Sequence, residues 1–314
     1  KVADKVIAYA SGLESGKVLS VCKHFPGHGD TDVDSHKALP VLPFTRERLD
    51  SVELYPFKEA IRAGVSGMMV GHLQVPVIEP IGDLPSSLSR NVVYGLLTEE
   101  LAFKGLIFTD ALAMKGVAGN KSVCLQALQA GNDMVLALRR LKEEMDAVLE
   151  AVEKGELPEE EINAKCRKVL TYKYILGLER KPFVKLSGLG TRINTPQTRD
   201  LISRLNLAAI TVLNNKNDVL PLHPDLKEAP ILNVGKPEEI EPFDRKMKKY
   251  TSFARFQLRK DLPEAEQQKL RDSLAAYRRV IVTVTEQRLA PYQSFFAKFA
   301  PESPVIYVFY TPAK

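Results

Sequence analysis

Four of the five histidines in this chain, His24, His28, His36 and His72, lie within a span of 49 residues. Three of them share one segment, residues 23–36, which reads KHFPGHGDTDVDSH. That segment combines three histidines and three aspartates with two glycines and one proline. Turns need glycine and proline, but a purely structural loop has no use for so many titratable groups. Two chemistries fit. Histidine and aspartate are good ligands for zinc or iron. Histidine also gains and loses a proton near neutral pH, which suits acid–base catalysis. Asp34 precedes His36 by two residues, a spacing that lets it hydrogen-bond the ring and fix its tautomer. Spacing alone leaves both chemistries open.

A second signal is the run Phe103-Lys104-Gly105-Leu106-Ile107-Phe108-Thr109-Asp110-Ala111-Leu112. It reads as a buried strand that ends in a carboxylate, Asp110. Reactive groups collect at the carboxyl edge of parallel sheets in α/β folds. A third strand end, Gly71-His72-Leu73, follows Met68-Met69-Val70. His72 there reads as a residue that lines or supports the pocket.

The elements that carry these residues follow a repeat. Short apolar runs at 18–22, 67–70, 105–109 and 133–138 alternate with amphipathic stretches at 46–63, 90–101, 121–130 and 141–154. Strand–helix alternation of this kind predicts a parallel sheet flanked by helices. Further helices are expected over 1–13 and 159–176, the latter closed by Gly177. Residues 180–198 are rich in Pro, Gly, Lys and Thr without apolar periodicity, and read as a linker. Beyond them, helices at 199–207 and 263–277 and strands at 208–213, 229–234, 280–284 and 305–310 predict a second α/β domain. His223, beside Leu222 and Pro224, reads as structural.

Composition narrows the function classes. The 314 residues are 45% hydrophobic and 26% charged, which excludes collagen-like and disordered chains. No apolar run reaches the roughly 18 residues of a membrane span. The net charge of +5 is scattered, and gives no ground for expecting a nucleic-acid partner. The basic run at 245–249 reads as a solvated helix face. Three cysteines, Cys22, Cys124 and Cys166, without a CxxC pair, argue against a disulfide framework or zinc–thiolate site. The chain begins at Lys1 in what reads as mid-helix, so an absent signal peptide says little, and the compartment stays open.

The segment 23–36 followed by Leu39-Pro40, then Glu53-Leu54-Tyr55-Pro56-Phe57, Pro85-Ser86-Ser87-Leu88-Ser89 and residues 105–114, resembles glycoside hydrolase family 3. Within that family it is most similar to the bacterial β-N-acetylglucosaminidases. The resemblance runs in order over residues 1–178. It implies that Asp110 is the catalytic nucleophile, that His36 is the acid/base with Asp34 as its partner, and that Lys23 and His24 contact the sugar. It implies no metal and no cofactor. His28 and Asp30 are left to shape the loop. Ala113, Thr98 and Ala102 depart from the family's usual residues, none at a catalytic position.

The implied activity is that of a retaining exo-β-N-acetylglucosaminidase. It would remove terminal GlcNAc from a carbohydrate partner, either muropeptide fragments of peptidoglycan or chitooligosaccharides. A retaining glycosidase holds its two catalytic groups about 5–5.5 Å apart, usually as two carboxylates. A His–Asp acid/base makes the site less negative and opens it to an anionic acceptor such as phosphate. The alternatives are a β-glucosidase-type member and a silent carbohydrate-binding homologue. The DSH triplet argues against the first, and the intact Asp110 and His36 against the second.

A (β/α)₈ barrel needs about 250 residues and eight strands, whereas four strand–helix units precede the linker. The expected fold is therefore the C-terminal half of a TIM-type barrel over 1–179, a linker over 180–198, and part of an α/β sandwich over 199–314. Such a piece alone is expected to have little activity.

Overall fold

The computed structural model describes residues 1–31, 38–80, 82–117, 119, 122–180, 185–222, 229–250, 252–299 and 304–310. The chain divides into two compact units, Lys1–Ser187 and Gly188–Lys314. Each is mixed α/β with a parallel sheet.

In the first unit four strands lie side by side in sequence order: β1 (Val21–Phe25), β2 (Gly67–Val70), β3 (Leu106–Ala111) and β4 (Met134–Leu136). All three pairings are parallel. Sequential, uniformly parallel strands joined by helical crossovers are the arrangement of successive units in a (β/α)₈ barrel. The helix Val2–Ser15 precedes β1, Tyr55–Arg62 precedes β2, and Val123–Ala130 precedes β4. The stretch Asn91–Glu100 before β3 is wound with wide, i→i+5 turns, and Leu101 closes it by donating to the Leu96 carbonyl. Phe25, Met68, Val70 and Ile107 from the strands bury against Leu49, Phe57, Ala60, Leu96 and Leu97 from the helices. That burial is the main stabilising term of the unit.

Two register shifts interrupt this sheet. Cys22 and Phe25 of β1 pair with Met68 and Val70 of β2, three residues against two. Phe108 and Ala111 of β3 pair with Met134 and Leu136 of β4, again three against two. An extra residue in a strand bends it and re-aims its side chains. The extra residues fall at Lys23–His24 and at Thr109–Asp110. At the second shift a side chain replaces the missing ladder bond, because the Leu136 N–H donates to Thr109 Oγ1 at 3.1 Å.

The first strand lies three residues later than the apolar run at 18–22 predicts. Lys23 and His24 therefore sit inside β1, not in the loop after it. The reason lies upstream. Glu14, in the last turn of Val2–Ser15, accepts hydrogen bonds from the N–H and hydroxyl of both Ser20 and Ser66, at 2.7–3.2 Å. Those bonds fasten the helix end to the residues that enter β1 and β2.

In the second unit the strand order is β6 (Arg255–Leu258), β5 (Ile231–Val234), β7 (Val280–Val284), β8 (Val305–Phe309), all parallel. Alternate residues face two cores. Leu232, Val234, Val280, Val282 and Val284 pack with Leu274, Phe295 and Phe299 on one face. Ile231 and Ile281 pack with Ile240 on the other, against Phe243 and Met247. The chain leaves β5 for β6 on one side and returns to β7 on the other, so strand order reverses between β5 and β7. There the Lys236 N–H donates to Thr285 Oγ1 at 2.8 Å. Gly235 has φ +113°, and a Cβ at that position would lie 2.8 Å from the Glu286 nitrogen.

The stretch expected as a linker carries structure. A short helix spans Leu189–Ile193, and another, Pro196–Ala209, starts at Thr195, whose hydroxyl caps the Thr198 N–H. No strand forms over 208–213. Ala208 and Ala209 extend the helix, as alanine favours, and Ile210–Leu213 pair with no described strand. The strand β6 is absent from the sequence expectation, because its apolar residues are too few to stand out, and the helix read from the basic run at 245–249 spans Glu241–Met247. His223 lies outside the described residues.

Candidate functional site

The site forms where β1, β2 and β3 end. Asp110 is the fifth residue of β3, and its side chain is 17% exposed. The Ala111 N–H donates to Asp110 Oδ1 at 2.8 Å. The other oxygen, Oδ2, lies 3.5 Å from His24 Nε2. The two register shifts bring these groups together, since each re-aims one of them.

His24 is half-buried. Burial pushes its pKa below 6.5 and outweighs the opposing pull of the Asp110 carboxylate, while Lys23, His28 and His72 push the same way as burial. The imidazole is therefore neutral at neutral pH. Lys23 is exposed. Gly71 makes room for His24: a Cβ there would lie 3.0 Å from the His24 Cβ.

The loop after β1 is held from its far side. His28 Nδ1 lies 2.7 Å from Thr31 Oγ1, and its ring meets His24 edge-on at 5.9 Å. Arg48 bonds Asp30 and Glu53, each at 2.9 Å. Gly27 at φ +140° passes so close to Glu53 that a Cβ would come within 2.8 Å of its Cβ. Asp34 and His36 lie outside the described residues.

Three buried serines support the floor. Ser86 Oγ donates to the Gly71 carbonyl at 2.7 Å and accepts from the Leu73 N–H at 3.2 Å. Ser89 Oγ donates to Glu79 Oε2 at 2.7 Å and accepts from the Val92 N–H. Ser87 Oγ lies 2.7 Å from Nδ1 of His72, which is fully buried. The sequence names these serines only through the family motif. Thr109 and Asn132, both fully buried beside the site, carry no signal of their own.

Among the described residues no cluster of three or more His, Cys, Asp or Glu side chains is arranged to hold a metal ion. Cys22 and Cys124 are buried free thiols and Cys166 is an exposed one. Burial, with Glu144 nearby, pushes the Cys124 thiol up to about 11. Among the described residues no helix is long and apolar enough to cross a membrane.

Residues 1–172 match the family model for the glycosyl hydrolase family 3 N terminal domain. A β-hexosaminidase A from Pseudoalteromonas piscicida is 32% identical over 238 residues, covering 69% of this chain and 39% of that protein. A β-hexosaminidase from Nitrosospira multiformis is 40% identical over 138 residues, covering 43% of this chain and 39% of its own length. The solved structure of a family 3 β-N-acetylglucosaminidase from Paenibacillus sp. str. FPU-7 superposes with a TM-score of 0.78 at 30% identity, over 96% of this chain and 60% of that one. The chain thus spans about two-fifths of the curated relatives' length. With a matching model over more than half of its residues, the chain belongs to glycosyl hydrolase family 3.

Proposed function

We propose that this chain carries the nucleophile and sugar-contacting residues of a retaining exo-β-N-acetylglucosaminidase. The observation that carries the reading is Asp110 at the carboxyl edge of β3, with Oδ1 bound by the Ala111 N–H and Oδ2 beside His24. The hexosaminidase names of the relatives support it.

In this reading the Asp110 carboxylate attacks the anomeric carbon and forms a covalent glycosyl-enzyme. His36, oriented by Asp34, gives its proton to the departing glycosidic oxygen. Neutral His36 then takes a proton from water, which releases the sugar. Neutral His24 and the Lys23 ammonium bind sugar hydroxyls. The substrates are GlcNAc-terminated muropeptides or chitooligosaccharides, the former placing the protein in cell-wall turnover. Turnover is expected of the complete protein and little from the 314-residue chain, in which β1 pairs on one side only among the described strands.

Covalent trapping tests this reading. A ring-fluorinated N-acetylglucosaminyl donor should add one sugar mass to the peptide that contains Asp110, and Asp110→Ala should abolish both label and turnover. Turnover without a covalent adduct would point to attack by the substrate's own acetamido group, and would overturn the assignment.

A further inference from the structure

The third strand end carries a buried histidine that the reaction just described does not use. His72 lies two residues past the end of β2, and its side chain is bonded at both nitrogens. Nε2 lies 3.1 Å from the Ala111 carbonyl oxygen and Nδ1 lies 2.7 Å from Ser87 Oγ. A carbonyl oxygen only accepts, so Nε2 carries the hydrogen. Nδ1 is then the acceptor, and the Ser87 hydroxyl donates to it. Ser87 is itself fixed, because its carbonyl accepts from Asn132 Nδ2 at 2.9 Å. Asn132 also donates to the Ala127 carbonyl at 2.8 Å.

The register explains why a side chain is needed here. β2 ends at Val70, opposite Thr109 of β3. Two further residues of ladder would set residue 72 opposite Ala111. β2 instead stops, and the His72 imidazole supplies a donor to the Ala111 carbonyl. Ala111 is the residue whose own N–H binds Asp110 Oδ1. On its other side Ala111 pairs with Leu136, and the Leu112 N–H donates to the Leu136 carbonyl at 2.9 Å.

We propose that His72, locked by Ser87 as its Nε2–H tautomer, is a positioning residue that clamps the Ala111 carbonyl and thereby aims the Asp110 carboxylate. It acts through Ala111 and does not itself exchange protons with the substrate. Its complete burial and two fixed bonds shut it off from bulk water. Burial also pushes its pKa below 6.5, against the weaker opposing effects of the Ala111 carbonyl and Asp110. The imidazole thus keeps one hydrogen-bonding pattern through the neutral range. The proposal rests on Asp110 as nucleophile.

The test compares two variants of the complete protein by the rate at which the ring-fluorinated donor labels Asp110, alongside kcat and KM. Gln at position 72 keeps an N–H near the Nε2 position, whereas Met fills similar space without one. His72→Met should slow labelling and lower kcat by about 10- to 100-fold, with KM within about threefold, the signature of a misaimed nucleophile. His72→Gln should restore most of the loss. Equal damage in both variants, or none in His72→Met, overturns the clamp. Ser87→Ala is the milder variant if His72→Met fails to fold, and should slow labelling by about 3- to 10-fold; an unchanged rate counts against the proposal. A native protein that is never labelled at Asp110 sinks the nucleophile assignment itself, and with it the catalytic half of this proposal. Nitrogen NMR of His72 then decides the structural half without turnover. A neutral Nε2–H ring at neutral pH is expected, and an Nδ1–H ring or an imidazolium there overturns it.

Discussion

The His24 Nε2 nitrogen lies 3.5 Å from Asp110 Oδ2, although the two residues come from different strands 86 positions apart. Since burial keeps His24 neutral, the contact is not a full ion pair, and the imidazole stays available to a sugar hydroxyl. His24→Ala should lower kcat/KM of the complete protein by about 10- to 100-fold, equal to ~1.4–2.7 kcal/mol of lost transition-state binding. Steady-state kinetics on a chromogenic N-acetylglucosaminide measures this. A variant with native kcat/KM would remove His24 from the site.

Acid should weaken the fold through the half-buried His24 and the buried His72. His24 and His72 have folded-state pKa values below 6.5, the ordinary value they regain on unfolding. In the window between those values the unfolded chain binds more protons than the folded one, so stability rises with pH and falls on acidification. Urea midpoints measured from about pH 7 to about pH 5 should drop, and His72→Gln should flatten part of that slope. A wild-type midpoint that climbs on acidification would reverse the sign assigned to these histidines.

Thr109 should tolerate serine better than valine. Its hydroxyl oxygen accepts the Leu136 N–H at the register shift beside Asp110. Valine is nearly the same shape but leaves that N–H without its acceptor, at a cost of about 1–3 kcal/mol. Serine keeps the oxygen and loses only a buried methyl, about 1 kcal/mol. Denaturant titration of the two variants reads the difference, and equal losses would mean that packing, not the hydroxyl, sets the position.

Glu14 should matter more than its place at a helix end suggests. Its carboxylate accepts from Ser20 and Ser66, and these bonds lower its pKa despite the opposing effect of partial burial. A lowered carboxylate pKa contributes stability above the ordinary value of 4.5 that is lost as pH falls through the folded value. Glu14→Ala should cost about 2–3 kcal/mol and speed amide exchange at Ser20 and Ser66. Unchanged exchange at those two amides would show that the helix end is fastened by other contacts.

The order of the strand–helix units was legible because apolar runs such as Met68-Met69-Val70 and Leu106-Ile107-Phe108 stand out between polar loops. Asp110 was legible for the same reason, being the first charge after such a run. The register shifts were not. An extra residue in one strand is defined only against its neighbour, and nothing in Cys22–Phe25 or Phe108–Ala111 taken alone announces it. The later start of β1 escaped for a related reason, since Lys23 and His24 interrupt its apolar pattern. His72 was singled out at a strand end and Ser87 only within a family motif, and nothing in either segment announces that the two pair. In the second unit β6 was missed because Arg255 and Gln257 leave only two apolar residues to mark it.

The second sheet reverses its strand order between β5 and β7, and open α/β sheets bind their ligands in the crevice at such a reversal. Here the Thr285 hydroxyl already holds the Lys236 N–H, and Gly235 passes against the Glu286 backbone with no space for even a methyl group. The two loops are thus tied to each other at the place where a ligand sits in related topologies. For protein engineering this makes Gly235 and Thr285 the first positions to redesign, because a new binding function in this unit has to start by prising those two loops apart.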